Sequence, residues 1–316
     1  MMTPLRFAVL TSLLLITVAV VAQEGRGIQT QTLVRAESKN DVLPNTAAIK
    51  LEVNQRTTPL TSLQAIKPSS VQIALLIDDG LSRSAGIQLD DIRKFATALP
   101  PQIELLVGYM SNGRVLIVSP FTTDHAAAAA AIRLPSGMAG QSASPYFCLS
   151  DFVKQWPGGE GGAKGRFVMM LTNGVDPYNG RPSMDNQNSP YVAAAIADSQ
   201  RAGVAVYSIY YRDAGFRGES GAFSGQGYLL QVADGTGGDS YYQGSGNPVS
   251  LEPFLTRFQH AIAETYVATF NADPAAGGRD HLVRLKVSTS TPKLKLRVAE
   301  EVRPGNRVGS GDREDK

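Results

Sequence analysis

The sequence predicts an α/β fold built on a mostly parallel sheet. Three observations carry that expectation. VQIALLI (71–77), RFVMMLT (166–172) and VAVYSIYY (204–211) are almost wholly apolar, as strands covered on both faces must be. Stretches with helical spacing separate them, which is the pattern of strands joined by crossover helices. The first two runs end in small oxygen-bearing residues, IDDGLS at 77–82 and LTNGVD at 171–176. In an open parallel sheet, ligands bind beyond such carboxyl ends.

The elements follow in chain order. Arg6 precedes a 15-residue apolar run, Phe7–Val21, and Val20-Val21-Ala22 supplies the small residues of a cleavage site. Residues 1–22 therefore read as a secretory signal peptide. As an uncleaved anchor the run falls short of the roughly 20 residues that span a bilayer. No later stretch is apolar enough to cross. The implied destination is the periplasm or the exterior. Residues 23–66 read as an irregular lead: 23–47 are polar and without period, AIKLEV (48–53) alternates like a strand, and 57–70 is rich in turn residues.

From residue 67 the helical and strand periods alternate. Leu89, Ile92, Phe95, Ala96 and Leu99 share one helix face, stopped by Pro100-Pro101. IELLVGYM (103–110) and RVLIVSPF (114–121) flank Ser111-Asn112-Gly113 and read as a hairpin. This gives the sheet an antiparallel edge. Asp124 is placed to cap an Ala-rich helix at 125–132. A loop at 135–146 and a short helix at 149–156 precede the 166–172 strand. Ser189-Pro190 reads as N-cap and first helical residue of YVAAAIADSQRA, with Gly203 as its stop. GYLLQVADGTGG (227–238) suits a short helix, DSYY a short strand, and Ser250 the cap of a last long helix whose face runs through Leu251, Phe258 and Tyr266. HLVRLKVS and KLKLRVA alternate like strands within a C-terminal β segment, 271–302. The tail 303–316 is polar and reads as disordered.

Composition narrows the chemistry. Net charge is +2 over 316 residues, and no basic stripe interleaved with aromatics is present, so nucleic-acid binding is unsupported. A single cysteine, Cys148, excludes an intramolecular disulfide. It sits among aromatic and apolar neighbours and reads as a small core residue. Histidine occurs three times, at His125, His260 and His281, never in a ligand or triad pattern. GGEGGAKG (158–165) precedes a strand instead of following one and lacks Gly-Lys-Ser/Thr, so it is no phosphate loop.

Asp78, Asp79 and Ser82 after the first strand, with Thr172, Asn173 and Asp176 after the strand at 166–172, form the oxygen-rich donor set a hard cation favours. On these residues the chain resembles the von Willebrand factor type A domain, and more narrowly the bacterial von Willebrand-related proteins, over roughly 70–270. The resemblance implies a Rossmann-like fold, flanked here by short β additions at both ends, and a metal-ion-dependent adhesion site for Mg²⁺ or Mn²⁺. Asp78 matches the first Asp of Asp-x-Ser-x-Ser. Gly80 stands where the first Ser belongs, and Ser82 matches the second. Ser142 or Ser144 is the candidate for the middle-loop Thr. Asn173, in Thr172-Asn173-Gly174, replaces the second Asp, and Asp79 or Asp176 is the candidate compensating carboxylate. Losing one hydroxyl and one charge weakens hard-cation affinity. The implied function is adhesion or protein binding, with a partner's carboxylate completing the coordination or with contact independent of metal. An envelope scaffold carrying a vestigial site is the competing expectation. A hydrolase using the same crevice would need Asp-x-Asp, but position 80 is Gly, and no Gly-x-Ser-x-Gly occurs. Tyr109 and Tyr178 are further candidates for partner contact at this edge.

Overall fold

The computed structural model describes residues 27–38, 42–137, 144–158, 164–180, 186–212, 218–244, 246–274 and 280–308. The signal-peptide expectation for 1–22 and candidate Ser142 lie outside them. In chain order, the first elements are β1 (Ile28–Ser38), β2 (Ile49–Val53), β3 (Arg56–Thr58), β4 (Leu60–Ala65) and β5 (Val71–Asp78). Then come α1 (Leu89–Ala98), β6 (Glu104–Ser111), β7 (Arg114–Thr122), α2 (His125–Ala130), α3 (Pro145–Lys154) and β8 (Gly165–Thr172). The chain continues through α4 (Pro190–Ala202), β9 (Val204–Tyr210), α5 (Gly218–Thr236), β10 (Ser240–Tyr241) and α6 (Glu252–Ala263). It ends with β11 (Thr265–Ala272), β12 (Val283–Thr289), β13 (Leu294–Val298) and β14 (Glu301–Val302).

The α/β architecture is the expected one. A six-stranded sheet runs in the order β10-β9-β8-β5-β6-β7. All neighbours are parallel except β6 and β7, the antiparallel hairpin edge. Period-two alternation explains why the central strands look uniformly apolar. Ile73, Leu75 and Ile77 of β5 pack with α1, α2 and α6, including Ile92, Phe95 and Phe258. Ala74 and Leu76 pack on the other face with α3, α4 and α5, including Phe152, Val192 and Leu229. β8 divides the same way, Phe167, Met169 and Leu171 to one layer and Val168 and Met170 to the other. Each such buried side chain contributes about 1.5–3 kcal/mol of transfer free energy, so both helical layers are held by the sheet.

Local signals set the helix ends. Asp124 Oδ1 accepts from Ala127 N at 3.0 Å and starts α2. Ser189 Oγ accepts from Tyr191 N and Val192 N at 3.1 and 3.2 Å, with Pro190 next. Gly203 ends α4 at φ 65°, the left-handed cap a side chain resists. Ser250 sits one residue before the α6 cap position, and its hydroxyl accepts from Glu252 N.

Four expectations are corrected. The stretch 23–47 is not irregular throughout, because β1 occupies eleven of its residues. Its buried face is Thr30, Thr32, Val34 and Ala36, and the threonines conceal the alternation when counted as polar. α5 begins far earlier than Gly227. Tyr266 lies in β11, since α6 stops at Ala263. Residues 303–308 of the expected disordered tail are placed by the fold, and 309–316 lie outside the described residues: Gln31 N donates to Asn306 O at 2.8 Å, and Val308 N donates to Gln31 Oε1 at 3.0 Å.

The flanking strands form two further four-stranded sheets, β13-β1-β11-β4 and β14-β12-β2-β3. They share a core of Leu51, Val53, Phe270, Val283, Leu285 and Val302. β1 pairs antiparallel with both β11 and β13. Segments from both ends of the chain therefore build one β unit beside the α/β layer structure.

Candidate functional site

The parallel strands β5 and β8 are adjacent, so their carboxyl ends deliver the IDDGLS and LTNGVD loops to one edge. Asp78 closes β5 and is 3% exposed. Its Oδ1 accepts from Gly80 N at 2.9 Å, and its Oδ2 accepts from the buried Thr172 hydroxyl at 2.7 Å. The second bond ties β5 to β8. Thr172 Oγ1 accepts in turn from Gly174 N at 3.2 Å. Asp78 is thus the corner of a loop network.

The other candidates are engaged locally. Ser82 Oγ shares a 2.6 Å bond with Ser84 Oγ, whose hydroxyl also lies 3.4 Å from the Tyr211 hydroxyl. Asn173 Oδ1 accepts from Val175 N at 2.9 Å, an Asx turn. Ser144 is fully buried and caps α3, accepting from Tyr146 N at 3.3 Å. Gly80 offers no side chain.

Both proposed compensating carboxylates are committed elsewhere, which corrects that expectation. Asp79 Oδ1 accepts from Arg133 Nη1 and Ser136 N, both at 2.8 Å. Burial alone would raise the Asp79 carboxyl, but the Arg133 and Ser136 hydrogen bonds together with the Arg133 charge outweigh it and hold it below the usual range. Asp176, 2% exposed, accepts from the Ser189 hydroxyl at 2.6 Å and from Tyr178 N at 3.1 Å. It braces the start of α4.

The donor set does not fit a hard divalent cation held by this chain alone. Such a cation takes six or more oxygens and gains affinity from ligand charge. With Asp79 and Asp176 committed to Arg133, Ser136 and Ser189, the one further loop carboxylate is Asp78, with both oxygens already accepting hydrogen bonds. The Ser82, Ser144, Thr172 and Asn173 oxygens are neutral, and those of Ser144 and Asn173 are spent on backbone N–H groups. Among the described residues, no three His, Cys, Asp or Glu side chains form a group that could hold a metal.

The tyrosine expectations divide. Tyr109 is fully buried under Arg133, whose guanidinium lies 3.8 Å from the ring centroid, and its hydroxyl donates to Arg133 O. It is a core residue and not a contact. Tyr207, Tyr210 and Tyr211 are also buried. Tyr178 is 56% exposed and joins Phe147 and Tyr191 in a three-ring cluster, with centroids 4.7–6.3 Å apart. Phe147 stands on the first turn of α3, beside the hairpin turn at Gly113, and Tyr191, 37% exposed, on the first turn of α4. The sequence reading missed Phe147 and Tyr191. A signal existed: both helices open Ser-Pro-Tyr, at 144–146 and 189–191. Tyr146 stitches this patch to the site, because its hydroxyl donates to Gly174 O at 2.6 Å.

Cys148 is 1% exposed, and burial, assisted by the Asp78 charge, pushes its thiol up to about 12. It is inert core, as expected. No helix among the described residues is long and apolar enough to cross a membrane.

No protein-family model matches the chain, and no curated protein matches it in sequence. Similar solved structures include an aerotolerance-related membrane protein from Bacteroides fragilis, 14% identical at TM-score 0.40, covering 61% of this chain and 98% of that one. BatB from Bacteroides thetaiotaomicron is 15% identical at TM-score 0.43, with the same coverage. The SpRpn10 VWA domain is 12% identical at TM-score 0.40, over 59% of this chain and 93% of that one. Each is a distant likeness.

Proposed function

We propose that this chain is an exported von Willebrand A-like protein-binding module, not an enzyme, and that it engages its partner without a bridging metal. The contact surface is the loop edge beyond β5 and β8, centred on Phe147, Tyr178 and Tyr191. The observation that supports this most directly is the division of labour at that edge. Asp78, Asp79, Ser144, Thr172 and Asp176 are buried and brace the loops, and Asn173 closes its own turn, while three aromatic rings in mutual contact stay partly open to solvent. Aromatic side chains supply large contact area at low entropic cost and are enriched at protein interfaces. Export is supported by the apolar run 7–21 behind Arg6. The absence of Asp-x-Asp and Gly-x-Ser-x-Gly, with Asp78 fixed by Gly80 and Thr172, gives no poised nucleophile or base.

The test has two arms. Calorimetry of the mature protein against Mg²⁺ and Mn²⁺ is expected to show no heat of binding, and a thermal shift at millimolar metal is expected to be absent. Capture of partners from an envelope extract is expected to be indifferent to chelator and lost in the Tyr178→Ala/Tyr191→Ala double variant, with an unchanged unfolding midpoint. Chelator-sensitive capture would overturn the metal-free reading. Capture insensitive to the double variant would overturn the placement of the surface.

A further inference from the structure

At the opposite end of the sheet, where β8 begins, lies a cavity of about 590 Å³. Among the described residues its lining carries five positive side chains, Lys154, Arg166, Arg201, Arg303 and Arg307, against one carboxylate, Asp198. The volume falls within the roughly 300–1,000 Å³ range of small-ligand pockets. A surface with balanced charge would not gather five cations on one concave wall. A low-dielectric concavity lined by one sign of charge concentrates oppositely charged ligands.

Four of the five cations are held by contacts within the protein. Arg166 donates to Ala202 O at 3.2 Å, and its guanidinium lies 5.4 Å from the Trp156 ring centroid. It thereby covers the negative carboxyl end of α4, which would otherwise oppose an anion. Arg303 Nε donates to Asn306 Oδ1 at 3.1 Å, and Asn306 Nδ2 donates to Gln200 O at 3.3 Å, pinning the strap at 303–308 to α4. Lys154 and Arg201 flank Asp198 at 3.4 and 3.0 Å. The one carboxylate thus works as a spacer that fixes two cations at the rim. Groups already ordered cost little further entropy on binding. Four of the five cations are arginines, whose planar forks match the paired oxygens of phosphate and carboxylate groups.

We propose that this cavity binds a small polyanion bearing two or more phosphate or carboxylate groups. The site is remote from the Asp78 edge, so the proposal stands or falls apart from the protein-binding reading. The lining includes the chain's single tryptophan, Trp156, which supplies a direct optical probe.

The mature protein is titrated with tripolyphosphate and, separately, with citrate, following Trp156 emission and calorimetric heat. Tripolyphosphate or citrate is expected to give a saturable emission change that weakens as salt rises from about 50 to about 300 mM. Saturation by one alone identifies the anion class. Arg307→Glu is expected to weaken binding several-fold. Arg201→Gln/Arg307→Glu is expected to weaken it roughly tenfold, with circular dichroism and unfolding midpoint unchanged. Neither anion producing a saturable signal or heat at millimolar concentration overturns the proposal. So does equal affinity in the folded charge-altered variants.

Discussion

Thr172→Val tests whether the Asp78 carboxylate is a structural corner. Valine keeps the shape of threonine and removes only the hydroxyl, so no cavity opens. Thr172 is fully buried and donates to a carboxylate that is itself 3% exposed, at 2.7 Å. A charge-assisted bond of that kind is worth about 1.5–3 kcal/mol, because a buried carboxylate that loses a donor keeps its desolvation cost. Gly174 N loses its 3.2 Å acceptor as well, a neutral bond worth about 0.5–1.5 kcal/mol. The two share one hydroxyl and do not add fully, and the better strand propensity of valine returns less than about 1 kcal/mol. The net expectation is a loss of about 1–3 kcal/mol, read from urea unfolding at neutral pH through emission of the buried Trp156. A loss under about 0.5 kcal/mol refutes the reasoning, because the Asp78 oxygen would then be drawing on another donor or a cation. Stabilisation of the variant by Mg²⁺ beyond that of wild type would identify the cation.

Three other outcomes follow from the same geometry. The folded Asp79 carboxyl titrates below its unfolded value near 3.9, so its stabilisation is complete above that value and is lost as pH falls through the lower folded value. Midpoints measured from pH 7 down to about pH 3 should fall less steeply for Asp79→Asn than for wild type, and parallel curves would remove Asp79 from the account. Cys148, with its thiol pushed up to about 12, should resist a thiol reagent in the native protein and yield one equivalent after unfolding; rapid native labelling would contradict its burial. Ser189→Ala removes the α4 cap and the Asp176 donor together. It should cost about 1–2 kcal/mol, and a neutral substitution would show that water replaces both.

The central sheet was legible because burial on both faces leaves few residues other than Val, Ile, Leu, Met and aromatics, and 71–77, 166–172 and 204–211 show that bias directly. Caps were equally legible: Asp124, Ser189-Pro190 and Gly203 act through their own backbone neighbours, so the sequence window contains the whole interaction. β1 was not legible, since its partners β11 and β13 are more than two hundred residues away. The Thr30 hydroxyl likewise accepts from the distant Gly305 N, besides donating locally to Ile28 O. The site was half legible. The motif placed Asp78, Ser82 and Asn173 at one sheet edge, but whether a carboxylate faces solvent depends on donors from elsewhere. Arg133 and Ser136 for Asp79 lie more than fifty residues on.

The altered motif has a physical consequence beyond weaker metal affinity. A carboxylate at a strand end must be satisfied by something. Gly80 contributes only a backbone N–H, and Asp78 accepts it along with the Thr172 hydroxyl. Asn173 has no second negative charge to offer and instead closes its own turn onto Val175 N. The Gly80 change removes a ligand oxygen and the Asn173 change turns one onto the loop, while Asp176 accepts from Tyr178 N and so helps place Tyr178 beside Phe147 and Tyr191. A tight intrinsic cation site would compete for the same oxygens and loosen those turns. On the proposed reading the aromatic surface and a strong metal site are therefore alternatives at this edge, and the hydrogen bonds of Asp78, Asn173 and Asp176 favour the aromatic surface.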